Sequence, residues 1–186
     1  TGSGNDGTIS GAQWSSESIR GNALLFDGDD SINFGTSGFG LAAENAFSVS
    51  LWFRLSGEAG GALLRRGLYV YPFSLAITGD GYLYGIVRTS SGTSHGTGTT
   101  QLQSGQWYHC VFTCGQGQRV LYIDGEVDQM SPVLGELVTA PGQNLMLGED
   151  YSGLIDEVKL YNRVLSAEEA AVLAAGGELL RDPEIN

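Results

Sequence analysis

The chain has 186 residues, 41% hydrophobic and 10% aromatic, which suffices for one domain with a full buried core. Nine basic against 21 acidic residues give a formal net charge of -12. That charge repels phosphate backbones and anionic membranes, so neither nucleic acid nor a membrane is expected as a partner. No apolar run approaches the ~20 residues of a bilayer span and no secretory leader opens the chain, so a soluble mature chain cut from a longer precursor is expected.

The 29 glycines and four prolines favour many tight turns and short strands over a helical bundle. In chain order, "SGNDGTISG" opens on a turn, and "ALLF" runs into Asp27-Gly28. "FSVSLWFRL" follows, with Phe47, Val49, Leu51, Phe53 and Leu55 on one face of a strand and Ser48, Ser50, Trp52 and Arg54 on the other. "LLRRGLYVYP" leads to "FSLAIT" and the turn Asp80-Gly81. "GYLYGIVR" then sets Tyr82, Tyr84 and Arg88 on one face when Leu83 and Val87 point inward. The Ser/Thr/Gly-rich residues 89–101 read as an exposed loop.

"QWYHCVFTC", "RVLYI" with its turn Asp124-Gly125, "NLMLG" and "GLIDEVKLYN" complete about a dozen short strands at the spacing of a sandwich. One short helix is predicted in "SAEEAAVLAA", with Ser166 as N-cap, Glu169 as its capping-box partner and Gly176-Gly177 as the stop. The expected division is one domain over 1–178 and a tail or linker over 179–186. Cys110 and Cys114 share one predicted strand, roughly 13 Å apart at ~3.3 Å per residue. A disulfide needs less than about 7 Å, so both are expected as buried free thiols.

Few constellations suggest chemistry. Glu126 and Asp128 lie two apart after a turn and resemble part of the carboxylate row of laminarinase-like hydrolases, but the second glutamate is missing. Asp156 with Glu157, and Glu149 with Asp150, are neighbours that a strand would point to opposite faces. "GTSHG" matches a nucleophile-elbow pattern without the required strand, turn and helix. His95 and His109 are the only histidines, and no zinc spacing is present. Recognition is the better fit. Trp52 and Arg54, with Tyr82, Tyr84 and Arg88, are expected to line one open sheet face, with Arg65, Arg66, Tyr69 and Tyr71 at its rim. The alternative is that these aromatics cover a loop and the arginines pair with surplus acids.

Several strings occur in the order and spacing of a known family: "NALLFDGDDSINFG", "FSVSLWFRL", "GQWYHCVFTC", "RVLYIDGEV" and, most specifically, "GLIDEVKLYNRVLSAEE". Over about nine-tenths of its length the chain resembles the LamG-like jelly-roll domains, relatives of pentraxins and concanavalin A-like lectins. The resemblance implies an all-β fold, a two-sheet antiparallel jelly-roll sandwich. It also implies a usually non-catalytic module of secreted bacterial hydrolases, lyases and adhesins. Members usually carry a further strand before the Asn5-Asp6-Gly7 turn, which here follows only four residues.

One acid stands out. Strict alternation would place Asp156 in the core-facing row of Leu154, Val158 and Leu160, where an ionised carboxylate must be paired, protonated or metal-bound. The resemblance implies a structural calcium there, held by Asp27 and Asp156, with Asp29 and Asp30 crowding the same "FDGDD" turn. The alternative is that Asp156 accepts hydrogen bonds from loop amides. The expected function is a non-catalytic carbohydrate-binding module for an acidic polysaccharide, from a secreted or cell-surface multimodular bacterial protein. An adhesion or spacer module, or a jelly-roll hydrolase or lyase, is the alternative.

Overall fold

The computed structural model describes residues 6–36, 45–67, 72–139 and 142–179. Along the chain it forms β1 (Thr8–Ser10), β2 (Gln13–Ser15), β3 (Ala23–Asp27), β4 (Ser31–Asn33), β5 (Phe47–Leu55), β6 (Gly61–Arg66) and β7 (Phe73–Ile77). There follow β8 (Leu83–Thr89), β9 (Gly92–Thr97), β10 (Trp107–Gly115), β11 (Gln118–Ile123), β12 (Glu126–Pro132), β13 (Leu145–Leu147), β14 (Ser152–Tyr161) and the helix α1 (Ala167–Ala174). Sheet I runs in the order β1-β4-β13-β6-β7-β8-β9, and sheet II in the order β12-β11-β10-β5-β14-β3-β2. All the pairings are antiparallel. The expected two-sheet sandwich with one short helix is what forms.

The core lies between the sheets. The inward row of β5, Phe47, Val49, Leu51, Phe53 and Leu55, meets Leu64, Leu75, Leu83 and Val87 of sheet I, and each is at most 2% exposed. Burying one such side chain contributes about 1.5–3 kcal/mol. At the β11–β12 hairpin, Asp124 (φ 50°) and Gly125 (φ 85°) both take the left-handed conformation that a two-residue turn of this kind requires. Cys110 and Cys114 are free buried thiols on the inward face of β10, and burial pushes the Cys114 thiol up to about 12.

Sheet II is covered on its outer face as well. Ser166 caps α1 with the expected reciprocal bonds to Glu169, and α1 lays Ala170 and Leu173 against Val111, Val120 and Tyr122. Ser48, fully buried on that side, donates to the Arg163 carbonyl and accepts from the Leu165 amide, so the helix approach is hydrogen-bonded to the sheet.

Two expectations are corrected. The stretch expected as a loop holds β9, joined to β8 by a two-residue turn and paired from Tyr84↔Thr97 to Thr89↔Gly92. Ladder pairing overrides the weak strand propensity of its glycines and serines. Glycine is also required, because Gly96 faces inward opposite Gly85, and a methyl group on Gly96 would overlap the Arg119 guanidinium. The second correction concerns Asp156. Between Asp156↔Trp52 and Lys159↔Ser50, β14 spends three residue steps where β5 spends two, a β-bulge in which Glu157 has φ 51°. The bulge shifts the alternation. Ile155, Val158 and Leu160 pack on the main core, whereas Leu154 and Asp156 face outward. Residues 180–186 of the expected tail lie outside the described residues.

The Gly96 contact predicts that Gly96→Ala lowers stability by about 1–3 kcal/mol by overpacking. Gly79→Ala, where an added Cβ meets nothing within 4 Å, stays near neutral, and urea unfolding midpoints compare the two.

Candidate functional site

The outer face of sheet I carries polar and aromatic groups in register. One cross-strand row reads Arg65, Ser74, Ile86, His95; the next holds Ala76, Tyr84 and Thr97; Arg88 stands opposite Thr93. Neighbouring strands are about 4.8 Å apart, so these side chains form one surface. The rings of Tyr84 and His95 lie 6.0 Å apart at 49°. Arg65 is ion-paired with Glu149. Arg88 is exposed and has no carboxylate within ion-pair distance among the described residues.

Around the free edge of β9 this face continues into a groove of about 340 Å³, floored by Gly92 and the hydroxyl-bearing Thr89, Ser91, Thr93 and Ser94 and walled by Pro132 and Leu134. Groups converging beside a concavity of this size are the ordinary form of a ligand site.

The structure separates the residues expected on one face. Trp52 and Arg54 lie on the outer face of sheet II, on the opposite side of the sandwich from Tyr84 and Arg88. There Arg54 is ion-paired with Glu17 and sits 5.6 Å above the Trp107 ring, and Trp52 is half-buried 5.2 Å from His109. The crevice beside Trp52, roofed by Ile19, Leu173 and Gly176, has about 20 Å³, room for one water and not for a sugar. Arg66 points inward from the end of β6, 6% exposed, and donates to the Thr36 carbonyl. Tyr82 stands just ahead of β8, with its amide bonded to Thr78 Oγ1. Tyr69 and Tyr71 lie outside the described residues.

The expected metal set is also divided. Asp27, Asp29 and Asp30 bring carboxylate oxygens within 4.8 Å of one another. Asp30 Oδ2 accepts the Asp27 amide at 3.0 Å. A shared hydrogen bond with Asp27, then the charges of Asp27 and Asp30, hold the Asp29 carboxyl above its usual range, while Asp27 moves down. Asp156 does not join them. Asp27 pairs with Ser152, four residues along β14 and so about 13 Å away. Asp156 Oδ2 instead accepts the amides of Ile19 (2.8 Å) and Arg20 (2.9 Å), and its Oδ1 accepts the Glu157 amide (2.8 Å). Its role is to tie the loop before β3 onto sheet II, which satisfies a carboxylate only 6% exposed.

Of the two carboxylates of β12, Asp128 is held in structural hydrogen bonds. Glu126 is exposed at the turn. Asp128 Oδ1 accepts from the amides and hydroxyls of Thr99 and Thr100, clipping β12 to the segment after β9. His109 is 1% exposed, with Nε2 2.9 Å from Ser50 Oγ. Sequence reasoning missed Thr93, Ser94 and His95. Their signal was the alternation of Thr93, His95 and Thr97 inside a stretch whose composition otherwise reads as loop.

With this geometry in place, the chain belongs to the concanavalin A-like lectin/glucanases superfamily, whose family model matches residues 26–171. No curated protein matches the chain in sequence. Among solved structures it is similar to domain 4 of AbnA, a GH43 extracellular arabinanase from Geobacillus stearothermophilus, in complex with arabinotriose. The identity is 23% and the TM-score 0.70, over 90% of this chain and 87% of that one. It is also similar to the receptor-binding domain of botulinum neurotoxin C/D mosaic serotype, at 16% identity and TM-score 0.73 over 93% of this chain. A third similar structure is the serotype D ligand-binding domain in complex with N-acetylneuraminic acid, at 16% identity and TM-score 0.68. The chain spans about half of each neurotoxin domain. These likenesses establish the jelly-roll fold.

Desolvation, and secondly the charge of Lys159, hold the His109 imidazole down to about 4. The unfolded chain takes up that proton near pH 6.5, so between pH 6.5 and 4 the unfolded state binds more protons and stability falls as pH falls. The stability advantage of wild type over His109→Gln is therefore expected to shrink on going from pH 7 to pH 4, as read from urea midpoints.

Proposed function

We propose that this chain is a non-catalytic carbohydrate-binding module that takes an acidic polysaccharide on the outer face of sheet I, and that it serves in an extracellular multimodular bacterial protein. The carrying observation is the Tyr84–His95 ring pair with the unpaired Arg88 beside a hydroxyl-lined groove. Aromatic faces stack on sugar C–H surfaces, and guanidinium forks suit carboxylates and sulfates. Arabinotriose and N-acetylneuraminic acid bound to two similarly folded domains support sugar as the ligand class. The extracellular arabinanase supports the location and the appended setting. Fold likeness alone never fixes function, so the reading rests on the surface.

Native electrophoresis through gels holding neutral and acidic polysaccharides tests it. Retardation without clearing is expected on an acidic glycan. Tyr84→Ala and Arg88→Ala should each weaken it at least tenfold, about 1.4 kcal/mol, while Trp52→Ala leaves it within twofold. Unretarded migration on every glycan, or clearing abolished by Glu126→Gln, would replace this reading with a spacer module or a hydrolase.

A divalent oxygen-seeking cation fits the turn after β3. Asp27, Asp29 and Asp30 supply converging carboxylates, and a hydrogen bond shared with Asp27, then the charges of Asp27 and Asp30, hold the Asp29 carboxyl above its usual range. Calcium would take oxygens from these three and offset the repulsion of those charges. Calcium is then expected to raise the Tm relative to chelator, and Asp29→Asn to remove the rise. Asp156→Ala should lower Tm equally in both media, because Asp156 caps amides and is not part of that cluster.

A further inference from the structure

The chain carries 21 acidic residues, yet among the described residues none lines the groove beside β9. Instead, a guanidinium stands behind its floor. Arg119 is 0% exposed between the sheets, and its Nε donates to Ser94 Oγ at 3.0 Å while Nη1 donates to Gln129 Oε1 at 2.8 Å. Its Nη2 has no hydrogen-bond partner, and no carboxylate lies within ion-pair distance of it among the described residues. A buried charge without a counter-ion projects its field through a medium that screens poorly, and here the field emerges through Ser94 into the groove.

The groove is also furnished with donors. Ser94 Oγ, already accepting from Arg119, has only a long contact of 3.5 Å with the Pro132 carbonyl for its own proton. Thr93 and His95 line the groove as well, from the side of β9 opposite to Ser94. β9 is an edge strand, so a row of its N–H groups lies outside the ladder. Leu134, 76% exposed, supplies an apolar wall of the kind on which a sugar ring rests.

We infer that this groove is an anion subsite, which seats the carboxylate or sulfate of an acidic sugar unit against the free edge of β9 at Thr93, Ser94 and His95, with Arg119 as the positioning residue behind Ser94. The inference rests on the carbohydrate-binding reading for its source of anion, and on the groove for its chemistry. It explains how a protein of charge -12 accepts an anionic ligand at one place on its surface.

The test is a two-dimensional amide NMR titration at constant ionic strength. The probes are trigalacturonate, its fully methyl-esterified form and a sulfated galactose disaccharide. The expected result is saturable shifts at residues 91–95 with at least one anionic probe, at least tenfold weaker with the ester. Whichever of uronate and sulfate binds more tightly names the source. Ser91→Glu and Ser91→Lys alter an exposed side chain on the groove, so the fold persists in both. Ser91→Glu should weaken the anionic probe at least tenfold and Ser91→Lys should tighten it, each leaving the ester within twofold, a split that loss of structure would not produce.

Equal affinity for trigalacturonate and its ester, or shifts confined to the Arg65–Tyr84 face, overturns the anion subsite while sugar binding stands. Shifts at 91–95 with anionic probes alongside unretarded migration in every polysaccharide gel uphold the subsite and overturn the carbohydrate reading. Unmoved amides at 91–95 with every anion overturn the subsite outright.

Discussion

A single arginine between two sheets fixes how the working side of this sandwich is built. Arg119 comes from sheet II and binds Ser94 on the edge strand of sheet I and Gln129 on the edge strand of its own sheet. A guanidinium without a counter-ion is costly to bury, and its place between the sheets depends on neighbours that accept its hydrogen bonds and leave room. Ser94 Oγ and Gln129 Oε1 accept from it; Gly85 and Gly96, facing each other across β8 and β9, leave room for Phe112 and Arg119. That arrangement adds a tie between the sheets to the pairing of β9 with β8. A second clip, Asp128 to Thr99 and Thr100, holds the far end of the same strand.

The other side of the molecule is organised by a carboxylate. One extra residue at Glu157 turns Asp156 outward, where it accepts three backbone amides and anchors the loop that precedes β3. With α1 packed beside it, that face becomes a second small core. The two outer faces therefore differ in kind. Sheet II is closed by helix and loop, so Trp52, His109 and Ser50 serve packing. Sheet I is open, so Tyr84, Arg88 and His95 face solvent. Arg54 on sheet II and Arg65 on sheet I answer surplus acids, whereas Arg88 meets no carboxylate among the described residues.

Much of the fold was legible because it follows from local rules. The five inward residues of β5 alternate without interruption, the Asp124-Gly125 turn has the required chemistry, and the Ser166–Glu169 box starts the helix where the pattern places it. The candidate site was only half legible. Tyr84 and Arg88 were found because their strand alternates cleanly. Ser94 and His95 were hidden because β9 owes its conformation to pairing with β8 and not to its own composition, which is that of a loop.

The sequence by itself determined the strands with strong alternation, the turns with left-handed residues and the family to which the chain belongs, because those signals are carried within ten or so neighbouring residues. Tertiary structure alone decided which outer face is open, since that depends on where α1 packs across the sheet. It decided the orientation of Asp156, because a bulge is defined by two strands counted against each other. And it decided that a buried guanidinium from β11 stands behind the hydroxyls of β9, a meeting of residues 25 positions apart that only the closing of the sandwich brings about.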